Sequence, residues 1–349
     1  MPVTTEETGT PMPANEDLCG DAFSFTHSLK DPDLPLRAVY YPLGFPFEIR
    51  TDSAEVMKAA EESWSRFEKK FGIPETSIRV VSLSDGPQDC PPPPVVRVHG
   101  SLVVNIADAG NLSVSDLDGG HTRMWLTQAA ISRRAYMRYF FLESTVYAHI
   151  AQRFATGIHA ACVCLEGSGM LLCGDSGAGK SSLAWACARR GWTYVTDDAS
   201  YLVHDRDDHL VAGHCHQVRF RPSASELFPE LAGLDITPRA AGKPSIELSV
   251  DLAALSFGGI RQAQTASVDC IVFLNRSQPG RASAPAALRS FSRDEARRFM
   301  RSSTYGSSER VQRQFEAIEG LLTAEIMELQ YRDLDEGVEQ LTSLVKGRR

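Results

Sequence analysis

Hydrophobic and polar positions alternate with two different periods along the chain. Residues 36–50 are apolar and extended, with Ala38-Val39-Tyr40-Tyr41 followed by Phe45, Phe47 and Ile49, and Pro and Gly as punctuation. This pattern predicts strands. Val56, Ala59, Trp64 and Phe67 recur at a spacing near 3.6, which predicts a helix over 54–71 with Gly72 as its stop. A strand is expected over 78–83. Pro91 to Pro94 are four consecutive prolines, which neither a helix nor a central strand tolerates. Strand character resumes over 95–106 around a His99-Gly100 turn. Residues 124–154 are long and aromatic-rich and predict one helix or two. Tyr136, Tyr139, Phe140 and Tyr147 in that stretch read as a face packed against the next domain's core rather than as a ligand cage.

The pattern sharpens after Gly157. Strands are predicted over 158–165 and 170–173, joined by a turn at Glu166-Gly167-Ser168-Gly169. A glycine-rich loop follows, then a helix over 183–190 with Gly191 in the position of a helix C′ glycine. A short strand over 192–196 ends at Asp197-Asp198. Further strands are expected over 200–203, 217–220, 246–250 and 268–274, with His204 to His209 as an exposed hairpin loop. Helices are expected over 292–300 and 310–345. No internal repeat is present.

The loop is Gly174-Asp175-Ser176-Gly177-Ala178-Gly179-Lys180-Ser181-Ser182, and its first eight residues match G-x-x-x-x-G-K-[ST]. Each position has a chemical reason. Glycines let the backbone turn tightly and bring N–H groups close to phosphates, where side chains would clash. A helix starting near Lys180 aims its positive end at the same anion. Lys180 supplies a mobile positive charge for the outer phosphates, and the Ser181 hydroxyl is a hard oxygen ligand suited to Mg²⁺. Chance produces this pattern in roughly one chain per hundred of this length. The preceding apolar strand and following helix are the context it requires. The loop is therefore read as a nucleotide-phosphate site.

Asp197 and Asp198 follow a strand one helix after the loop, which would hold carboxylates near the metal. One carboxylate would bind Mg²⁺ and the other would accept a proton from an attacking hydroxyl. Adjacent residues on an extended segment point to opposite sides, so the two divide these roles; Asp197 joins Ser181 as the candidate metal ligand. His159, just before the hairpin that feeds the loop, is by itself an ordinary structural histidine. His214 and His216 flank Cys215 without a second ligand pair at metal-site spacing. Arg219, Arg221, Arg239 and Lys243 read individually as surface cations, of which one or two are candidates for phosphate or substrate.

Composition narrows the class. The 349 residues suggest two domains, perhaps three, and 43% apolar with 23% charged residues is near the globular norm. A net charge of −8 argues against bulk nucleic-acid binding. No run approaches the ~18 apolar residues of a membrane helix, and residues 1–15 lack a secretory pattern. The eight cysteines are scattered, several inside apolar runs, and read as buried small hydrophobes in a reducing cytoplasm.

Taken together, His159, the run from Gly174 to Ala184, Arg190-Gly191-Trp192 and Val195-Thr196-Asp197-Asp198 resemble the catalytic domain of HPr kinase/phosphorylase and its kinase relatives, a family related in fold to ATP-dependent phosphoenolpyruvate carboxykinase. The similarity spans roughly residues 155–280. It implies an α/β fold: a P-loop kinase core of the HPr kinase/carboxykinase type with a mixed sheet, over 126–349 and ending in C-terminal helices. An N-terminal α+β domain would precede it over 21–125, behind a disordered tail over 1–20. The resemblance implies a Mg²⁺- and ATP-dependent kinase acting on a serine hydroxyl of a protein or peptide. It implies Asp197, Asp198, His159 and Lys180 as active-site residues, no nucleic-acid or membrane partner, and self-association into a homo-oligomer. The family's His is usually followed by Gly, whereas Ala160 stands here. The second glycine-rich signature of the bifunctional enzyme and its N-terminal domain are not found, so phosphorylase activity and HPr as acceptor are not implied. Two other functions share these residues: a small-molecule phosphotransferase or carboxykinase-like enzyme, and a nucleotide-binding regulatory module without turnover.

Overall fold

A computed structural model describes residues 33–84, 86, 88–220, 224–231, 237–238, 248–251, 259–276 and 286–347. The expected tail over 1–20, Cys19, Arg221, Arg239 and Lys243 lie outside these residues. Contacts from Leu34 to the C-terminus form one unit.

The first half builds a seven-stranded sheet. Its strands are β1 Leu36–Tyr40, β2 Phe47–Thr51, β3 Thr76–Leu83, β4 Val95–His99, β5 Leu102–Asp108, β6 Asn111–Asp116 and β7 His121–Thr127, in the spatial order β1-β2-β3-β7-β6-β5-β4. β2, β3 and β7 run parallel, and α1 Ala54–Trp64 makes the crossover between β2 and β3. The helix ends at Trp64, seven residues before the position that periodicity predicts. Tertiary bonds hold the next residues extended: the Lys70 and Phe71 amides donate to the Gly44 carbonyl, and the Glu68 amide donates to Gln264 Oε1.

Residues 128–153 are helical in pieces: α2 Gln128–Ser132, α3 Arg134–Met137, a π-helical turn over Arg138–Glu143 and α4 Ser144–Arg153. Their apolar face (Ile131, Met137, Phe141, Val146, Ile150) shares a core with Phe45, Phe47 and Ile49 of the first sheet. Val203 and Ala212 of the second sheet join the same core. The aromatic stretch is a packing face, as its pattern predicts.

The second half builds a ten-stranded mixed sheet. Its members are β8 Ala155–Ile158, β9 Ala160–Leu165, β10 Ser168–Cys173, β11 Thr193–Thr196, β12 Ser200–Val203 and β13 Leu210–Gly213. A short separate ladder joins β14 Gln217–Phe220 to β16 Leu248–Asp251, which also pairs β15 Thr237–Pro238; α6 Ala224–Leu227 lies between β14 and β15. The large sheet continues with β17 Arg261–Gln262, β18 Thr265–Arg276, β19 Ala287–Ser290 and β20 Glu325–Tyr331. Helix α5 Lys180–Arg189 and α9 Leu334–Lys346 cover one face; α7 Arg293–Arg301 and α8 Ser308–Leu321 cover the other. β10 shows why this is an α/β layer. Met170 and Leu172 face the core with Leu183 and Leu341, while Leu171 and Cys173 face the core with Met300 and Ile318. A strand buried on both faces is a continuous apolar run. At Gly169 the backbone of β18 comes so close that an alanine Cβ would stand 2.1 Å from the Ser267 carbonyl oxygen. Gly169→Ala should lower stability by about 2–4 kcal/mol, visible as a shifted denaturation midpoint.

The helix predicted over 310–345 is broken. α8 stops at Leu321, β20 enters the sheet parallel to β18, and only then does α9 begin. Ile326, Leu329 and Tyr331 form a short apolar run, and periodicity does not separate a buried strand from a helix in such a run. Among the described residues, no helix is long and apolar enough to cross a membrane. Of the described cysteines, only Cys90 is exposed. Burial pushes the Cys173 thiol up to about 12, so it is a small apolar side chain there.

Candidate active site

Strand direction and register assemble the site. β9 runs antiparallel between β10 and β11, so those two strands are parallel to each other. The end of β10 that opens into the glycine loop therefore lies on the same edge as the end of β11 that opens into Asp197-Asp198. The start of β9 reaches that edge too: Cys173 pairs with Ala160, which leaves His159 beside Gly174. The apolar run over 158–165 is not one strand. β8 pairs with β12, β9 pairs with β10, and His159 occupies the bend between them, where its side chain leaves the sheet.

The loop has the backbone that its sequence requires. Gly177 and Gly179 hold φ values of +91° and +97°, in the left-handed region that favours glycine. A Cβ at Gly179 would stand 2.8 Å from the Tyr331 hydroxyl, which donates to the Ala178 carbonyl (3.3 Å) and supports the loop from below. α5 begins at Lys180, so its N-terminus faces the cleft. Lys180 is buried, and its Nζ donates to the carbonyls of Gly174 (2.6 Å) and Asp175 (3.2 Å). The Ser181 hydroxyl donates to the Asp197 carbonyl (3.4 Å), tying the loop to the acidic pair.

The two aspartates face different surroundings, as alternation on an extended segment requires. Asp197 is 4% exposed. Its Oδ1 lies 3.1 Å from the Tyr194 hydroxyl, and its Oδ2 accepts from the Arg219 amide at 2.9 Å. Burial pushes its carboxyl up to about 6; the Arg219 charge opposes the shift and the Asp198 charge adds to it. Asp198 is more open. Its Oδ1 lies 3.2 Å from His159 Nδ1, and its Oδ2 accepts from the Arg219 guanidinium. Burial alone would raise the Asp198 pKa. The hydrogen bond from His159 and the charges of Arg219, His159 and Lys180 outweigh it and hold the carboxylate well below its usual range.

The Asp197 shift carries a stability prediction. Between about pH 4 and pH 6 the folded chain keeps a proton that the unfolded chain releases, so stability falls as pH rises through that window. Above it the buried charge costs about 3 kcal/mol. Asp197→Asn keeps an acceptor for the Arg219 amide and removes the charge. Thermal melts without nucleotide or metal should show it a few degrees more stable than wild type at pH 7.5, with no gain at pH 4.

Loop, histidine and acidic pair surround one cleft of about 250 Å³, lined also by Arg219, Phe220, Leu227 and Arg276. Of the loop residues expected to bind phosphate, Ser176, Gly177, Gly179, Lys180, Ser181 and Ser182 line it; Gly174, Asp175 and Ala178 form the loop behind them. Arg219 and Arg276 are the additions. Arg219 reads in sequence as one surface cation among four, yet it contacts both aspartates. The buried neighbours Val218 and Phe220 were the available signal, since they turn Arg219 to a defined side of β14. Arg276 reaches the cleft because β18 runs parallel to β10 and ends on the same edge. His214 and His216 pack edge-on against Phe67, with centroids 5.0 and 4.8 Å away.

Among the described residues no cluster of three or more His, Cys, Asp or Glu side chains makes a metal cage. Mg²⁺ typically takes one or two carboxylates with phosphate oxygens and water, and Ser181 with Asp197 fits that need.

Fold and site define a phosphate-loop α/β protein with an acidic pair opposite the loop. Residues 150–221 match the family model of the HPr Serine kinase C-terminal domain, and over that stretch the chain is HPr-kinase-like. The stretch contains His159, the loop, both aspartates and Arg219. Among solved structures, the Hpr(Ser) kinase/phosphatase from Coxiella burnetii is similar over 55% of this chain and 99% of that one, at 13% identity and a TM-score of 0.31. A comparison with curated proteins gives no match.

Proposed function

We propose that the chain is a Mg²⁺- and ATP-dependent kinase that transfers the γ-phosphoryl group to a serine hydroxyl of a protein or peptide. One observation carries this reading: strand register brings His159, Lys180, Ser181, Asp197 and Asp198 to a single cleft from three separate segments. A cleft of about 250 Å³ is small beside closed ligand pockets of ~300–1,000 Å³. That size suits a site that grips phosphates and leaves the rest of the nucleotide at its mouth.

In this reading the loop amides and the α5 N-terminus hold the β- and γ-phosphates, and Lys180 leaves the Gly174 carbonyl to meet their charge. Ser181 and Asp197 would hold Mg²⁺, which when bound would supply charge neutralisation on the phosphates. Asp198 accepts the proton of the attacking hydroxyl, oriented by His159 and Arg219. Its low basicity is no obstacle, because a loose phosphoryl-transfer transition state draws on the proton acceptor late. Arg219 and Arg276 offer positive charge to the transferred group. The Asp198–His159–Arg219 cluster favours turnover over a module that only binds nucleotide, since binding alone needs no proton acceptor. A cytoplasmic setting and a self-associated state complete the proposal.

The test is transfer of label from γ-labelled ATP and Mg²⁺ into a cell lysate, with wild type and Asp198→Asn in parallel. A labelled protein band that depends on Asp198 supports the reading. ATP binding with neither transfer nor hydrolysis would move the chain to the regulatory class.

A further inference from the structure

β4 is an edge of the first sheet. β5 pairs one side of it, and among the described residues no strand pairs the other. The hairpin decides what that outer side presents. His99 and Leu102 flank the two-residue turn Gly100-Ser101 and exchange both backbone bonds; by alternation Arg97 with Val104 and Val95 with Ile106 do the same. The N–H and C=O groups of Val96 and Val98 therefore turn outward, and such an edge is a template for another chain. Pro91–Pro94 carry no N–H and end the edge on its N-terminal side.

The side chains of this edge are apolar without serving the core. Val95, Val96 and Val98 are 57%, 59% and 49% exposed. Among the described residues seven large apolar side chains are exposed, and five of them, these valines with Leu102 and Ile106, belong to the β4–β5 hairpin. None of the five joins the cores beneath the sheets. Apolar side chains exposed singly are ordinary, whereas a contiguous group marks an interaction surface.

Strand register adds a charge pattern. Arg97 pairs with Val104, Val104 with Val114, Val114 with Arg123, Arg123 with Arg79, Arg79 with Arg50 and Arg50 with Arg37. Paired residues share a face, so five arginines and two valines form one row across all seven strands. Ile49, Ile78, Val80 and Met124 alternate with these arginines and face the core, which puts the row on the opposite face. Two carboxylates share that face: Glu48, paired with Arg37 and Arg50, and Asp116, which accepts from the Asp118 and Gly119 amides. In a chain of net charge −8 this face is locally cationic. Along β4 itself, Arg97 and His99 lie on the cationic face, and Val96 and Val98 lie on the other.

We infer that β4 is a docking edge for a partner protein, and that it takes an extended segment in which acidic and aliphatic residues alternate. The segment adds as an eighth strand, antiparallel to β4. Its acidic side chains lie beside Arg97 and the arginine row. Its aliphatic side chains lie beside Val96 and Val98, and the backbone of those aliphatic residues meets the outward N–H and C=O groups. A second copy of this chain is the poorer occupant. Pairing Val96 with Val98 across two antiparallel copies sets Arg97 directly opposite the other copy's Arg97, and like charges so placed are destabilising. A nucleic acid would use the charge but not the valines; single strands stack on aromatic rings, and β4 and β5 carry no Phe, Tyr or Trp. The edge uses none of the residues of the phosphate cleft and goes beyond the kinase reading.

The test is fluorescence anisotropy of the full chain with a labelled nonapeptide alternating glutamate and valine. It should bind saturably and at least about tenfold tighter than a peptide alternating lysine and valine, with the difference shrinking as salt is raised. N-methylation of the valine amides, which face β4, should weaken binding about tenfold or more, since two backbone bonds are lost. N-methylation of the glutamate amides, which face away, should leave binding nearly unchanged. Arg97→Glu should invert the preference between the two peptides, an outcome that loss of folding cannot produce. Val96→Pro removes an outward N–H at an edge position that tolerates proline; it should abolish binding and leave Tm unchanged. No saturable binding of the glutamate peptide overturns the docking edge, as does a preference that Arg97→Glu leaves intact. Equal losses from both methylations overturn strand addition. Tighter binding of an oligodeoxythymidylate that Arg97→Glu weakens assigns the edge to nucleic acid, and a dimer in sedimentation that Val96→Pro dissociates assigns it to a second copy; either result overturns the partner proposed here.

Discussion

Lys180→Ala is expected to reduce phosphoryl transfer at least a thousandfold and to weaken ATP binding about ten- to a hundredfold. The two effects differ because the lysine charge matters most when negative charge accumulates on the transferred group. In a cleft that carries two carboxylates, losing one of the few cations removes that stabilisation where screening is weakest. The change also leaves the Gly174 carbonyl without the donor it has at 2.6 Å, for a stability cost of about 1–3 kcal/mol. A thermal melt separates that cost from the catalytic loss. Turnover within tenfold of wild type in a folded variant would remove the loop from the mechanism.

Asp198→Asn is expected to cut kcat by about 10²–10⁴, with nucleotide affinity equal to wild type or a few-fold tighter. Asparagine keeps the size of the side chain and a contact to His159 Nδ1, but it does not accept a proton. It also removes a negative charge facing the phosphates and leaves Arg219, now bonded to that carboxylate, available to them. A kcat loss without an affinity loss is the signature of a group that acts in the transition state. A matching loss of affinity would instead place Asp198 among the residues that hold ground-state nucleotide. Asp197→Asn differs from it in kind, since it should strengthen the metal-free fold as well as impair turnover.

Much of the site was legible in the sequence because its chemistry is local. The loop, its helix and the acidic pair sit in consecutive elements, and each residue type has a reason at its own position. His159 was legible only through resemblance. Its role depends on β9 running antiparallel between β10 and β11, and on the pairing of Ala160 with Cys173, neither of which a local pattern encodes. Arg219 and Arg276 reach the cleft through strand order for the same reason. At the C-terminus, Glu325–Tyr331 carries too few residues to show its period, and its strand state comes from pairing with β18 and β19. α1 ends early because Gly44 and Gln264, distant in sequence, bind the backbone that would have continued it.

The most direct measurement is a crystal structure grown with a non-hydrolysable ATP analogue and Mn²⁺ in place of Mg²⁺. The predicted result is a triphosphate held by the amides of residues 174–181, with an anomalous peak at Ser181 and Asp197 and with Lys180 turned from Gly174 to the phosphates. A nucleotide bound elsewhere, or an Mn²⁺ peak remote from both residues while the loop stays closed on Lys180, would contradict it.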